Sequence, residues 1–233
     1  MIDFHSHVLP GMDDGSASLE ESIAMLRMEA EQGITQVVAT PHFYPRYDRP
    51  EVFLDKRARS EELLRREMAK HSDLPQLSVG AEVYFFRGIS ESKILNLLTI
   101  QGKSCIMIEM MGSPWPQYAY DELLQIYRRW NLTPIIAHID RYIAPFRSHG
   151  IPDALAQLPV MVQANASFFL KKGTQRLAMA LLRDDKIQLL GSDCHNLSDR
   201  CPNLGQARQV SAQRLGEEVL SRVHTYGSGL LRK

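Results

Sequence analysis

The chain has 233 residues, 44% of them apolar, with 27 basic and 27 acidic side chains and a formal net charge of zero. That is enough for a single α/β domain with a sizeable core, and the neutral balance carries no electrostatic footprint for nucleic acid or an anionic membrane. Three irregularly spaced cysteines make no disulfide framework, and no leader-like start or run of about 18 apolar residues is present, so the expectation is a cytoplasmic protein without direct membrane insertion.

In chain order, Met1–Phe4 is a short candidate strand. Ser18 to Gln32 reads as a helix, with Ser18 as cap, Glu21 at the capping-box offset and Gly33 as its stop. Ile34–Thr40 is a buried strand ended by Pro41. Glu51 to His71 is a charged helix with i,i+4 pairs. Leu77–Phe85 is a strand containing Gly80, and Cys105–Met110 is another apolar run. Ala119 to Trp130 is helical. Thr133–Ala137 and Val160–Ala164 are strands, Gln175 to Asp184 is a helix, and Ile187–Gly191 is a strand. Gln206 to Thr225 is helical with a break near Gly216, and Gly227–Lys233 reads as a poorly ordered tail. This alternation favours a parallel sheet closed, or nearly closed, into a barrel, with an open doubly wound sheet as the alternative. No repeat, linker or second domain is visible: residues 1–225 read as the domain and 226–233 as its tail.

Metal-ligand residue types gather at the strand ends. His5 and His7 follow the first strand in DFHSH, His42 follows VVATP, Glu82 lies in GAEVY, and Glu109 ends CIMIE. His138 ends PIIAH, and Asp193 and His195 lie in SDCH. In a parallel barrel such positions converge on the C-terminal rim. One histidine beside a strand is more often a satisfied turn residue than a ligand. Most of the eight histidines share this placement, however, and carboxylates ending apolar runs are costly to bury without a cation. His71, His149 and His224 fall elsewhere and read as surface residues. Asp13-Asp14-Gly15 is a turn that is able to present Asp14 inward.

Such a cluster fits hydrolysis of a phosphate ester or of an amide. Arg141 and Arg200, each within five residues of a presumed ligand, favour phosphate, because guanidinium matches its geometry. Cys194 to Arg200 also matches the C-x5-R spacing of thiol phosphatases. The segment has no glycine for a phosphate cradle, and the Cys194 side chain should point away from its neighbours, so it reads as a small buried residue.

Taken together, DFHSH, DDG, TPH, GAE, IE, IAHIDRY and SDCHN occur in the order seen in the PHP (polymerase and histidinol phosphatase) superfamily. From residue 1 to about 225 the chain resembles most closely the tyrosine-protein phosphatases of that superfamily found with bacterial capsule and exopolysaccharide synthesis genes. The resemblance implies an α/β fold, a distorted (β/α)7 TIM-like barrel of the PHP type in a single domain. It implies three divalent ions: manganese foremost, with iron, cobalt or zinc as alternatives. Asp14, His42 and His195 would hold one ion, and His5, His7, Glu82 and Asp193 a second. Glu82, Glu109 and His138 would hold the third, with Glu82 bridging. Arg141 and Arg200 match two phosphate-binding arginines. The implied activity is that of a phosphoric monoester hydrolase removing phosphate from phosphotyrosine by a metal-activated water. The implied partner is the tail of a tyrosine autokinase, with homo-oligomer formation left open.

Members commonly carry Glu where Asp140 stands and Met where Cys194 stands, and the ending HTYGSGLLRK departs from an Asn-Pro-containing one. Phe43, Tyr44, Phe85, Trp115 and Tyr118 are expected to wall a phenyl-phosphate pocket. The alternatives are a small-molecule phosphatase, such as one acting on histidinol phosphate, and a non-catalytic metal-binding scaffold.

Overall fold

The computed structural model describes residues 1–112, 114–143 and 150–232. His149 and Lys233, both assigned above from sequence, lie outside the described residues. The strands are β1 (Ile2–Ser6), β2 (Gln36–Ala39), β3 (His42–Phe43), β4 (Gln76–Val79), β5 (Glu82–Tyr84), β6 (Cys105–Glu109), β7 (Thr133–Ile136), β8 (Met161–Asn165) and β9 (Leu189–Gly191). All their pairings are parallel. Their apolar runs are buried nearly throughout, as a parallel sheet covered on both faces requires.

One expected strand is interrupted, and another ends at Pro41 as expected but resumes beyond it. β2 and β3 are one strand broken at Thr40 and Pro41, where proline offers no N–H to the ladder. β4 and β5 are one strand broken at Gly80 and Ala81. The pieces pair in order β1-β2-β4 and β3-β5-β6-β7-β8-β9. The sheet curls back on itself beyond β9. Asp193 N donates to His5 O at 2.8 Å, His7 N donates to Cys194 O at 2.9 Å, and Ser6 pairs with Cys194 in parallel. With each broken strand counted once, this is the expected single-domain (β/α)7 arrangement.

The helices are α1 (Leu19–Glu31), α2 (Pro50–Met68), α3 (Leu95–Leu98), α4 (Gln117–Trp130), α5 (Asp140–Ile143), α6 (Gly150–Leu155), α7 (Ala166–Leu170), α8 (Lys172–Arg183), α9 (Leu204–Leu215) and α10 (Glu217–Arg232). Ser18 Oγ caps α1 by accepting from Glu21 N at 3.2 Å, and Glu21 returns to Ala17 N at 2.8 Å. The break between α9 and α10 falls at Gly216, with φ +86°.

Helix α10 corrects the expected disordered tail. Leu220, Val223, Gly227, Leu230 and Leu231 form one buried face of it. Leu230 and Leu231 join Ile2, Phe4, Val38, Met107, Ile135 and Leu189 in a single apolar cluster. Gly227 is the contact point: a Cβ there would lie 2.6 Å from the Phe4 ring. The helix thus seals the apolar floor on which the polar residues stand. Among the described residues no helix is long and apolar enough to cross a membrane.

Candidate metal centre

Strand register builds the site. His42 pairs with Glu82 across β3 and β5, and Tyr84 pairs with Glu109 across β5 and β6. In β1 an extra residue between Asp3 and Ser6 shifts the register. Bulges of this kind re-aim side chains. Here His5 turns to the barrel interior, while Asp3 faces Glu29 of α1 on the other side. His138 and Asp193, just beyond β7 and β9, adopt left-handed backbone with φ 33° and 55°. Such conformations cost about 1–3 kcal/mol each in non-glycine residues and persist where the surroundings enforce them. His138 N donates to Gln163 Oε1 at 2.6 Å, and Asp193 N to His5 O at 2.8 Å.

Glu82 is the hub. Its Oε2 lies 3.2 Å from His5 Nε2, 3.4 Å from His7 Nε2 and 3.0 Å from His42 Nδ1, and its Oε1 lies 2.7 Å from His138 Nε2. His5 and His7 turn their Nε2 atoms toward each other at 3.2 Å. Asp193 Oδ1 stands 3.5 and 3.6 Å from the same two nitrogens. Donors bound at about 2.1 Å around one ion stand about 3.0–3.4 Å apart, so His5, His7 and Glu82 are spaced as ligands of a common cation, and Asp193 stands just beyond that range. Asp14 Oδ1 faces His42 Nε2 at 3.4 Å and His195 Nε2 at 3.5 Å. Glu109 Oε1 lies 3.7 Å from His138 Nε2.

Some of these atoms lack partners: among the described residues, His195 Nε2 and Glu109 Oε2 are buried without a hydrogen bond. Orphaned imidazole and carboxylate atoms converging on shared points are what divalent ions of the N/O-binding class satisfy, and the residues fit them. His7 is oriented from behind, its Nδ1 lying 2.7 Å from Asp13 Oδ2. The arginines close the outer side. Arg141 Nη2 donates to Asp193 Oδ2 at 2.5 Å, and Arg200 Nη2 donates to Asp193 Oδ1 at 3.0 Å. Both remain partly exposed, at 39% and 35%.

The electrostatics follow from this crowding. Burial works against charge on Glu82, but His5 and hydrogen bonds from the neighbouring imidazoles hold its carboxyl well below the usual range. Asp193 is likewise held low against its burial, by His5, His7 and Arg141. Burial disfavours the His7 cation, yet Asp13 and Glu82 raise its pKa to about 10. For His195, burial and then His7 lower the pKa to about 4. Glu109 is raised by burial and by Glu82.

The sequence matches the capsular polysaccharide synthesis CpsB/CapC family over residues 1–230. The chain belongs to this family. Tyrosine-protein phosphatase CpsB of Streptococcus agalactiae serotype V is 27% identical over 231 residues, covering 94% of this chain and 92% of that one. Tyrosine-protein phosphatase CpsB of Streptococcus pneumoniae is 29% identical over 228 residues, covering 93% and 91%. The fold is shared with a crystal structure from work on Bacillus subtilis YwqE and S. pneumoniae CpsB, described as unique metal-dependent tyrosine phosphatases. That match has a TM-score of 0.88 at 23% identity and covers 100% of this chain and 94% of the other.

In this CpsB/CapC chain the barrel brings together every residue expected as a ligand, and both arginines. His71 and His224 stand apart, His71 beside Glu67 at 3.6 Å and His224 exposed. The expected aromatic wall is corrected. Phe43, Phe85 and Trp115 are buried core residues, and Tyr118 packs on Phe85 under Arg87. Only Tyr44 reaches the mouth, its ring 5.1 Å from His42 and stacked on it, with Tyr84 5.8 Å further on. Sequence reading missed Tyr84, Asp13, Gln163 and Asn165. Cys194 is fully buried with its thiol beside Glu29 Oε1 at 3.9 Å. Burial, and then Glu29, pushes its pKa well up, which is the reverse of what a thiol nucleophile needs.

Proposed function

We propose that this chain is a metal-dependent protein-tyrosine phosphatase. The observation that carries the reading is Glu82 facing four imidazoles, with Arg141 and Arg200 both bound to the Asp193 carboxylate beside it. In this reading Asp14, His42 and His195 hold one divalent ion. His5, His7, Glu82 and Asp193 hold another, and Glu82, Glu109 and His138 a third, with manganese as the metal. Ions held there would activate water and neutralise phosphoryl oxygens. The chain's own part is orientation. The exposed edges of the two guanidinium groups bind the phosphoryl group, and their backs are held by Asp193. Tyr44 and Tyr84 lie one step outward from His42 and Glu82 on paired strands, which suits stacking of a phenyl ring. Family membership and the relatives' names support phosphotyrosine in protein as substrate, with the tail of a capsule-associated tyrosine autokinase as its cytoplasmic source.

The test is hydrolysis of a phosphotyrosine peptide and of histidinol phosphate by the purified protein, with chelator and after return of Mn2+, Fe2+, Co2+ or Zn2+. The expected result is peptide turnover that chelation abolishes and Mn2+ restores. Activity indifferent to chelation would overturn the metal reading, and a higher kcat/KM on histidinol phosphate would overturn the substrate.

A further inference from the structure

Strand β8 supplies none of the proposed ligands, yet two of its residues, Gln163 and Asn165, reach the metal centre. Gln163 is fully buried. Its Oε1 accepts from His138 N at 2.6 Å and lies 3.3 Å from His5 Nδ1. Its Nε2 donates to Asn165 Oδ1 at 3.1 Å, and Asn165 Nδ2 donates to Asp193 Oδ2 at 2.9 Å. To reach His5 the side chain crosses β9 at Gly191. A Cβ there would lie 2.8 Å from Gln163 Nε2 and 2.6 Å from His5 Cβ, so the passage exists only because residue 191 has no side chain.

One fixed donor sets the direction of the whole chain of bonds. A backbone N–H can only donate, so the Gln163 atom facing His138 N is the carbonyl oxygen. That bond fixes which end of the amide faces His138. That same oxygen faces His5 Nδ1, so a neutral His5 carries its proton on Nδ1. The lone pair is then on Nε2, the atom turned toward His7, Glu82 and Asp193. The Gln163 NH2 group in turn commits Asn165 to accept with its oxygen and to donate to Asp193. His138 gains most directly. Its positive φ takes its N–H out of the strand ladder, and Gln163 supplies the missing acceptor.

We infer that Gln163 and Asn165 form a positioning relay that fixes the His5 tautomer, the strained His138 backbone and the Asp193 carboxylate, and so sets the affinity for metal. The inference rests on the reading of this cluster as a metal centre. Outer partners of this kind contribute roughly 10- to 100-fold to metal affinity.

The experiment is calorimetric titration of metal-free protein with Mn2+, for the wild type and for Gln163→Leu, Asn165→Leu and Gln188→Leu, alongside thermal melts of the metal-free forms. Gln188→Leu is the structural control. Gln188 Oε1 accepts from Val162 N at 2.9 Å on the same strand but does not touch the cluster. The relay predicts Mn2+ binding about 10- to 100-fold weaker in Gln163→Leu, a smaller loss in Asn165→Leu, and wild-type affinity in Gln188→Leu. 15N shifts of the His5 ring should report Nδ1–H in the wild type and a tautomer mixture in Gln163→Leu. Equal affinities in all four proteins, or equal losses in Gln163→Leu and Gln188→Leu, overturn the relay. If Gln163→Leu does not fold, Asn165→Leu against Gln188→Leu decides on the same criterion. A wild type that binds no Mn2+ fails differently, because it removes the metal centre itself.

Discussion

Strand β1 and the segments just beyond β1 and β9 present metal-ligand residue types on both of their faces, with opposite consequences. The front face carries His5, His7, Asp193 and His195 to the barrel mouth. The back face carries Asp3 and Cys194 against Glu29 of α1. Both clusters are buried. At the front, each carboxylate meets imidazolium or guanidinium groups, and the site opens to solvent past Asp14, whose side chain is 64% exposed. At the back, among the described residues, no cationic side chain is a leading influence on either carboxyl. Asp3 Oδ1 accepts from His5 N and Ser192 N, each at 3.0 Å, so it stitches the two strands together. Among the described residues, Asp3 Oδ2 and Glu29 Oε2 have no hydrogen-bond partner. Burial raises the Asp3 pKa, and burial together with Asp3 raises that of Glu29 much further. A carboxyl pair without a cation relieves its repulsion by holding a proton. Ligand-type residues therefore do not make a reaction site by themselves. Positive compensation and access to solvent do.

On that contrast, damage at the front is graded by closeness to the hub. Glu82→Ala leaves four imidazoles without their shared carboxylate, and kcat/KM on a phosphotyrosine peptide should fall by about 10³-fold or more. Metal content by mass spectrometry should fall with it. Near-wild-type turnover in this variant would break the contrast outright. Arg200→Met comes next. It removes the proposed donor to the phosphoryl group and half of the clamp on Asp193, with an expected loss of about 10²-fold. Arg200→Lys should recover little, because an ammonium cannot reproduce the planar fork. Full recovery by lysine would mean that charge alone matters there.

A third variant probes support rather than contact. Asp13 bonds His7 Nδ1 and also accepts from His42 N at 2.9 Å and Gly15 N at 3.0 Å. Asp13→Asn should weaken Mn2+ binding by about 10- to 100-fold, with a smaller effect on KM for peptide at saturating metal. An unchanged Mn2+ affinity would show that His7 needs no orienting partner.

The proposed ligands were legible because their physics is conspicuous: a carboxylate ending CIMIE or a histidine ending PIIA is too costly to leave in a core without a cation. Alternation was legible too, within limits. From His42 and Glu82 a step of two points to Tyr44 and Tyr84 at the mouth and turns Phe43 and Phe85 into the core, as found. The expected wall chose by residue type and so took the wrong members. What left no trace was the second layer. Gln163 and Asn165 are neutral residues inside an apolar strand, and nothing in VMVQAN marks them as partners of His138 and Asp193. Asp13 was hidden by its own turn dipeptide. The bulge that separates Asp3 from His5 depends on pairing with β2, which no local pattern encodes. Only the last turns of helix α10 were missed: Gly227 and Gly229 are weak helix formers, although Gly227 is there to admit the Phe4 ring.

The smallest expected effects lie on the back face, and they sharpen the contrast most. Cys194→Ser should leave kcat/KM within about twofold, since its side chain points away from the mouth. Glu29→Gln should do the same to activity and show itself only in stability. The folded-state pKa of Glu29 lies above its ordinary 4.5, so folding favours its protonated form. The resulting stabilisation is fully present below that ordinary value and is lost as pH rises through the raised one. A glutamine keeps a hydrogen to donate toward Asp3 and has no proton to lose. The midpoint of urea unfolding should therefore fall less for Glu29→Gln than for the wild type as pH rises above that ordinary value. Parallel curves for the two proteins would mean that Glu29 is already ionised in the fold. The back face would then hold two negative charges, and a bound cation would have to be sought there after all.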